Sequence, residues 1–258
     1  MDNILSMIIT VANQKGGVGK TDLTVNLSAY LAKMGKKTLI IDLDPQANAT
    51  DYLLSTKPKL TSGDLLLKDG LKLPGAAMET QIPNLSIVAG SHTLNAAQIE
   101  MINDVGMQFK LKRKLRTRHG YDYVFIDTPP SLSMLTINAL TASDFVLVPI
   151  QVHYFAMDGV KKLMNTIEMV RKEINPGLDV LGFILTMYDK RNKLSGKIEK
   201  MVKENFGDKV FETTIPVNVN LAEAPSRHAP IMLHSKESRG AHAYSRLAKE
   251  FLSFSGRL

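Results

Sequence analysis

A chain of 258 residues, 44% hydrophobic and 22% charged, is long enough to bury a sizeable core and suits one large α/β domain. It contains no cysteine, which excludes disulfides, thiolate metal sites and iron–sulfur clusters. The net charge of +7 permits binding to nucleic acid or to an anionic surface but requires neither.

The chain begins with an apolar run that carries an early acid, Asp2, and leads straight into a glycine loop. "MIITVAN" (7–13) therefore reads as a first buried strand and not as a signal peptide. A helix is expected over 20–34. Further strands are expected at 38–44, 85–90, 123–129, 145–151 and 180–188, with helices at 96–118, 131–142, 157–174, 194–205 and 240–254. Most of these strands are apolar on both faces, as buried parallel strands must be. The stretch 51–83 has weak periodicity and several Pro and Gly, and is expected to form short helices and loops on the rim. Within "KLKRKLRTRH" (110–119), the densest basic run, Leu111 and Leu115 point inward and the charges form a solvated helix face. Tyr244, Leu247, Ala248, Phe251 and Leu252 make one apolar face, that of a last packed helix and not of a membrane anchor. No apolar run approaches the ~20 residues that span a bilayer. Strand–helix alternation predicts a single α/β domain over 1–258, a mostly parallel twisted sheet with helices on both faces. Ligands in such sheets sit at the carboxyl ends of the strands.

"KGGVGKT" (15–21) is a phosphate-binding loop, between a strand and a helix as the motif requires. Gly16, Gly17 and Gly19, with Val18 between them, let backbone N–H groups curl around phosphate oxygens, and the helix that follows aims its positive end at the anion. Lys20 should reach the β- and γ-phosphates, and the Thr21 hydroxyl should bind Mg²⁺. Asp22 then sets a carboxylate beside the expected nucleotide. Two unit charges ~5 Å apart at an effective dielectric of 20 repel by roughly 3 kcal/mol, about a hundredfold in affinity if unscreened. Three outcomes stay open: weakened activity, full activity with the side chain turned away, or a defect in nucleotide loading. Acids are favourable in the first turn of a helix, which accounts for Asp22 without any effect on ATP.

"KGGVGKT", "LIIDLDPQANAT" (39–50) and "VFIDTPPS" (124–131) together resemble the ParA/Soj/MinD group of deviant Walker ATPases. "TINALTASDFVLVPIQ" (136–151), "LAEAPSRHAPIMLH" (221–234) and "SRGAHAYSRLAKEFL" (238–252) resemble its partitioning branch, so the likeness spans nearly the whole chain. It implies a P-loop NTPase fold that hydrolyses ATP with Mg²⁺. Lys15 would be the signature lysine that crosses an ATP-dependent homodimer to the partner's phosphates. Asp44 would position the attacking water, Asp42 would support Mg²⁺ and the first switch, and Asp127 would hold Mg²⁺. Asp22 and Pro216 complete the nucleotide-binding set.

The first strand starts within about ten residues, so no N-terminal helix-turn-helix domain is expected and the chain resembles the short Soj-like form. Such proteins bind double-stranded DNA non-specifically as ATP dimers, and a ParB-like centromere-binding protein stimulates their hydrolysis and release. The positive charge agrees with phosphate neutralisation. Lys190, Arg191, Lys193 and Arg227 are the candidate DNA contacts, with Lys236 and Arg239 behind them. The family commonly reads "IPRNVRL" where this chain reads "IPVNVNL" (215–221), so Val217 and Asn220 replace two arginines; Lys197, Lys200 and Lys203 follow at near-helical spacing and either compensate or form a solvated helix face. The expected protein is cytoplasmic and nucleoid-associated, with no membrane role. Positioning of a protein cargo on the nucleoid, or a nucleotide switch with hydrolysis impaired by Asp22, are the alternatives.

Overall fold

A computed structural model describes residues 6–102, 104–116, 119–153 and 156–256. Strand β1 (Met7–Val11) passes through the glycine loop into helix α1 (Lys20–Lys33) and then β2 (Thr38–Asp42). Short helices α2 (Asn48–Leu53), α3 (Ser62–Leu67) and α4 (Leu73–Ala76) lead to β3 (Ala77–Glu79) and β4 (Leu85–Val88). Then come α5 (Thr93–Met101), α6 (Lys110–Leu115), β5 (Tyr123–Asp127), α7 (Met134–Ala142) and β6 (Phe145–Gln151). The chain closes with α8 (Ala156–Glu173), β7 (Asp179–Thr186), α9 (Lys193–Phe206), α10 (Val219–Glu223), α11 (Ile231–His234) and α12 (Arg239–Ser255).

The strands form one sheet in the order β3-β4-β2-β5-β1-β6-β7, parallel except for β3. Alternation along the central strands divides the core. Ile9, Val11 and Phe125 face α1 and α12, where they meet Leu23, Leu27, Tyr244, Leu247 and Phe251. Leu39, Ile41, Val124 and Ile126 face the other way, onto α3, α6 and α7. Covered on both faces, β2 buries all five of its residues, which is why it has no polar alternation. The predicted inward face of α12 is observed: Tyr244, Leu247, Ala248 and Phe251 are fully buried and Leu252 packs at the edge. Among the described residues no helix is long and apolar enough to cross a membrane.

Several expectations need correction. The single helix expected over 96–118 is two, α5 and α6. Gly106 takes a left-handed φ of 73°, which ends the helical path, and a 3-10 turn at Met107–Phe109 restarts it. Residues 103, 117 and 118 lie outside the described set. The basic face of α6 is also less solvated than its charge suggests. The Lys114 ammonium donates to the carbonyls of Lys68, Asp69 and Leu71, Lys112 donates to Asn175 Oδ1, and Lys110 pairs with Asp104. Strand β3 and helices α10 and α11 are too short to leave a period in the sequence. β1, β2, β4, β5 and β7 end two residues before their expected limits, because the chain turns there into the loops that build the site.

A candidate nucleotide site

The β2–β5–β1 register brings the site together. Asp42 pairs with Asp127, and Asp127 with Val11, so two carboxylates and the start of the glycine loop lie side by side at the carboxyl ends of three adjacent strands. The loop is tied down at its head and its far end. Asn13 donates from Nδ2 to the Pro149 carbonyl and accepts the Lys15 N–H at Oδ1. At the end of β7 the Thr186 hydroxyl donates to the Val18 carbonyl at 2.8 Å. Gly17 and Gly19 adopt φ of 73° and 84°, a conformation that disfavours any residue with a Cβ. The first bond of α1 runs from Leu23 N–H to the Gly19 carbonyl. The N–H groups of Lys20, Thr21 and Asp22 precede it, carry no helical partner and lie at the positive end of the helix.

Asp127 is fully buried. It accepts the Thr21 hydroxyl at 2.8 Å and the Thr24 hydroxyl at 3.2 Å, one on each oxygen. Burial, then the charge of Asp42, pushes its pKa up to about 8. Burial also lowers the Lys20 ammonium, against the opposing pull of Asp127 and Asp44. Asp42 is closed in by Thr50, whose N–H and hydroxyl donate to Oδ2 at 2.9 and 2.7 Å, and by the Asp44 N–H on Oδ1 at 3.1 Å. Burial pushes it up to about 6. Both Asp42 oxygens are thus engaged in holding the turn that carries Asp44. That turn passes through Ala47 in a left-handed conformation, φ 54°, and Asp44 Oδ1 accepts the Gln46 N–H at 2.9 Å.

The Asp22 side chain turns away from the loop, into the space between α1, α2 and α12. The residue is half-buried, but its Oδ1 is sealed from solvent and has no hydrogen-bond partner among the described residues. Tyr52 lies beside the carboxylate, and Asn26 joins the group, donating from Nδ2 to Tyr52 Oη and to the Asp22 carbonyl. Asn26 Oδ1 accepts the Ile231 N–H, which ties α1 to the C-terminal segment. Burial pushes the Asp22 carboxyl up to about 6, partly opposed by Tyr52. Tyr244 is near enough that the Asp22 charge, after burial, raises its phenol.

Lys15 is half-buried beside Gly159 of α8, with no ion pair among the described residues. Pro216 bridges to Tyr188 just beyond β7. Lys190 and Arg191 lie exposed on the β7–α9 connection and Lys193 at the start of α9, but Arg191 is held by Asp189 at 3.1 Å. Arg227 is apart from them, on a turn whose next residue, His228, bonds the Asp51 carbonyl of α2. Of the α9 lysines, Lys200 pairs with Glu204, and Lys203 with Glu199 and Glu212. Val217 is 58% exposed. Asn13, Thr24, Thr50 and Thr186 were not singled out from sequence. Thr24 lies one turn after Thr21 on the same helix face and Thr50 ends the quoted "DLDPQANAT" segment, so both had a signal; Asn13 and Thr186 act through contacts that only the topology creates.

A family model described as an AAA domain matches residues 6–180. The chromosome-partitioning ATPase Soj of Thermus thermophilus is 45% identical over 245 residues, covering 95% of each chain. The sporulation initiation inhibitor protein Soj of Bacillus subtilis is 44% identical over 249 residues, covering 95% of this chain and 98% of its own. This chain belongs to the Soj/ParA family of partitioning ATPases. A solved structure of cobyrinic acid a,c-diamide synthase from Mycobacterium smegmatis, with bound ADP and magnesium, has the same fold at TM-score 0.84 and 31% identity, covering 98% of this chain and 96% of that one. The oxygen donors here suit such a cation. Thr21 and Asp127 offer a hydroxyl and a carboxylate, and no cluster of three metal-ligating side chains exists among the described residues. Mg²⁺ is held that way, by one or two protein oxygens with nucleotide phosphates and waters supplying the rest.

Proposed function

We propose that this Soj/ParA-family ATPase works as an ATP-gated, DNA-binding dimer, and that a ParB-like partner speeds its hydrolysis and release to segregate chromosome or plasmid DNA. The observation that carries the reading is the Thr21–Asp127 contact of 2.8 Å, set beside the free N–H groups of α1 and the turn that presents Asp44. The loop N–H groups and Lys20 bind and orient the polyphosphate. Thr21 and Asp127 would hold Mg²⁺, which would neutralise charge on the bound polyphosphate. Asp44 orients the attacking water. Asp42 fixes the Asp44 turn, accepting the Asp44 N–H directly and closing on Thr50. Lys15, without an ion pair among the described residues, is the cation that a second protomer would receive across the nucleotide. Pro216, bridged to Tyr188, would complete the nucleotide-binding set.

The inward turn of Asp22 supports hydrolysis over a disabled switch, since its carboxylate is buried beside Tyr52 and Tyr244 instead of pointing into the loop. DNA affinity would rest on Lys190, Lys193 and Lys197, with Arg191 available once Asp189 releases it and Arg227 contributing separately. On this reading the protein works on the nucleoid, in the cytoplasm. The test is steady-state ATP hydrolysis with duplex DNA and a ParB-like partner. Wild type is expected to turn over slowly and to be stimulated. Asp44→Ala should abolish turnover yet keep ATP bound. Equal turnover in Asp44→Ala would remove the assignment.

A further inference from the structure

On the sheet face opposite α1, a cavity of about 270 Å³ opens between the α3–α4 connection and α6. Leu66 and Leu71 give it an apolar lining, and Lys72, Lys110, Arg113 and Lys114 surround it. Asp69 is the one acid among its lining residues. Lys114 is fixed by three carbonyls and Lys110 by Asp104, whereas Lys72 and Arg113 are exposed and pair with no carboxylate among the described residues. Arg113 lies over Gly106, where a Cβ would come within 2.9 Å of its Nη2.

That contact joins the cavity to a second feature. Ile99, Ile102 and Val105 are 70%, 62% and 98% exposed, at a spacing of three residues along the end of α5 and the turn beyond it. Three large apolar side chains in a row beside a cationic cavity make an amphipathic surface. Duplex DNA calls for cations spread along a phosphate track and gains little from exposed isoleucine. An acidic segment with its own apolar stripe matches both halves, carboxylates over Lys72 and Arg113 and aliphatic side chains over Ile102 and Val105. The surface lies on the β2–β5 half of the sheet, away from Lys190 and Lys193 beyond edge strand β7.

We infer that the exposed Ile99, Ile102 and Val105 and the cavity beside them form a docking site for an acidic amphipathic segment of a partner protein. The site is independent of the nucleotide reading and stands even if DNA binding fails.

The test uses the full chain and a fluorescent peptide of Glu-Glu-Leu-Leu repeats, with Gln-Gln-Leu-Leu and Glu-Glu-Gly-Ser repeats as controls. Anisotropy should show binding of the first and loss of about tenfold in affinity for either control. Lys72→Glu with Arg113→Glu should weaken the first peptide by about tenfold, as should Ile102→Ser with Val105→Ser, while ATP hydrolysis and duplex DNA affinity stay unchanged. Failure of the Glu-Glu-Leu-Leu peptide to bind, equal binding of the Gln-Gln-Leu-Leu peptide, or indifference of both double variants would overturn the inference. So would loss of duplex DNA affinity on charge reversal, which would assign the surface to nucleic acid.

Discussion

Replacing Asp22 by Asn keeps the shape of the side chain and removes its charge, so the variant isolates one buried carboxyl. In the folded protein burial raises that carboxyl from 3.8 to about 6. A raised carboxyl pKa means that the folded state holds the proton more tightly than the unfolded chain. Its contribution to stability is therefore complete below the unfolded value and is lost as pH rises through about 6. The full swing is about 3 kcal/mol, and about 2 kcal/mol of it falls between pH ~4.5 and ~8. Asp22→Asn does not titrate, so its stability relative to wild type should climb by that amount over the same interval. For a chain of this size that is a Tm difference growing by about 4–8 °C. The assay is thermal unfolding of both proteins without nucleotide or Mg²⁺ across that range; taking the difference cancels the titration of Asp42 and Asp127. A Tm difference that stays constant with pH would refute the burial argument and would mean that the Asp22 carboxylate reaches solvent or a cation.

Asp127, raised to about 8, carries a proton at neutral pH and must lose it to accept Mg²⁺. Mg²⁺–nucleotide binding should therefore release up to about one proton at pH ~7 and tighten as pH rises toward 8, which calorimetry in two buffers of different ionisation enthalpy reads directly. Thr186→Val should leave the buried Val18 carbonyl without its donor, costing about 1–3 kcal/mol in urea unfolding and weakening nucleotide affinity with it. Gly90→Ala would set a Cβ 2.7 Å from Asp42 Cγ, displace the Asp44 turn and lower kcat for ATP, with a stability loss of about 1–3 kcal/mol.

The phosphate loop, Asp127 and the sheet were legible because each is local: glycines at fixed spacing, an acid ending an apolar strand, strands apolar on both faces. The direction of Asp22 was not, since it is set by Tyr52 and Tyr244, residues distant in sequence that the fold brings against α1. Asp42 invites a role at the cation on sequence grounds; the fold adds that it also holds the Asp44 turn, through the Asp44 N–H and Thr50. The split between α5 and α6 turns on one left-handed glycine, which a count of helical periodicity passes over. The lysines of α6 and α9 looked alike as charge, and only the fold shows which carbonyls and glutamates hold them.

The most direct test of the central claim is binding to random duplex DNA at low salt with Mg²⁺–ATP, with Mg²⁺–ADP and without nucleotide. The account predicts binding with ATP alone, lost on changing Lys190 and Lys193 to Glu. Equal binding in all three conditions, or none in any, would contradict ATP-gated DNA binding by this chain.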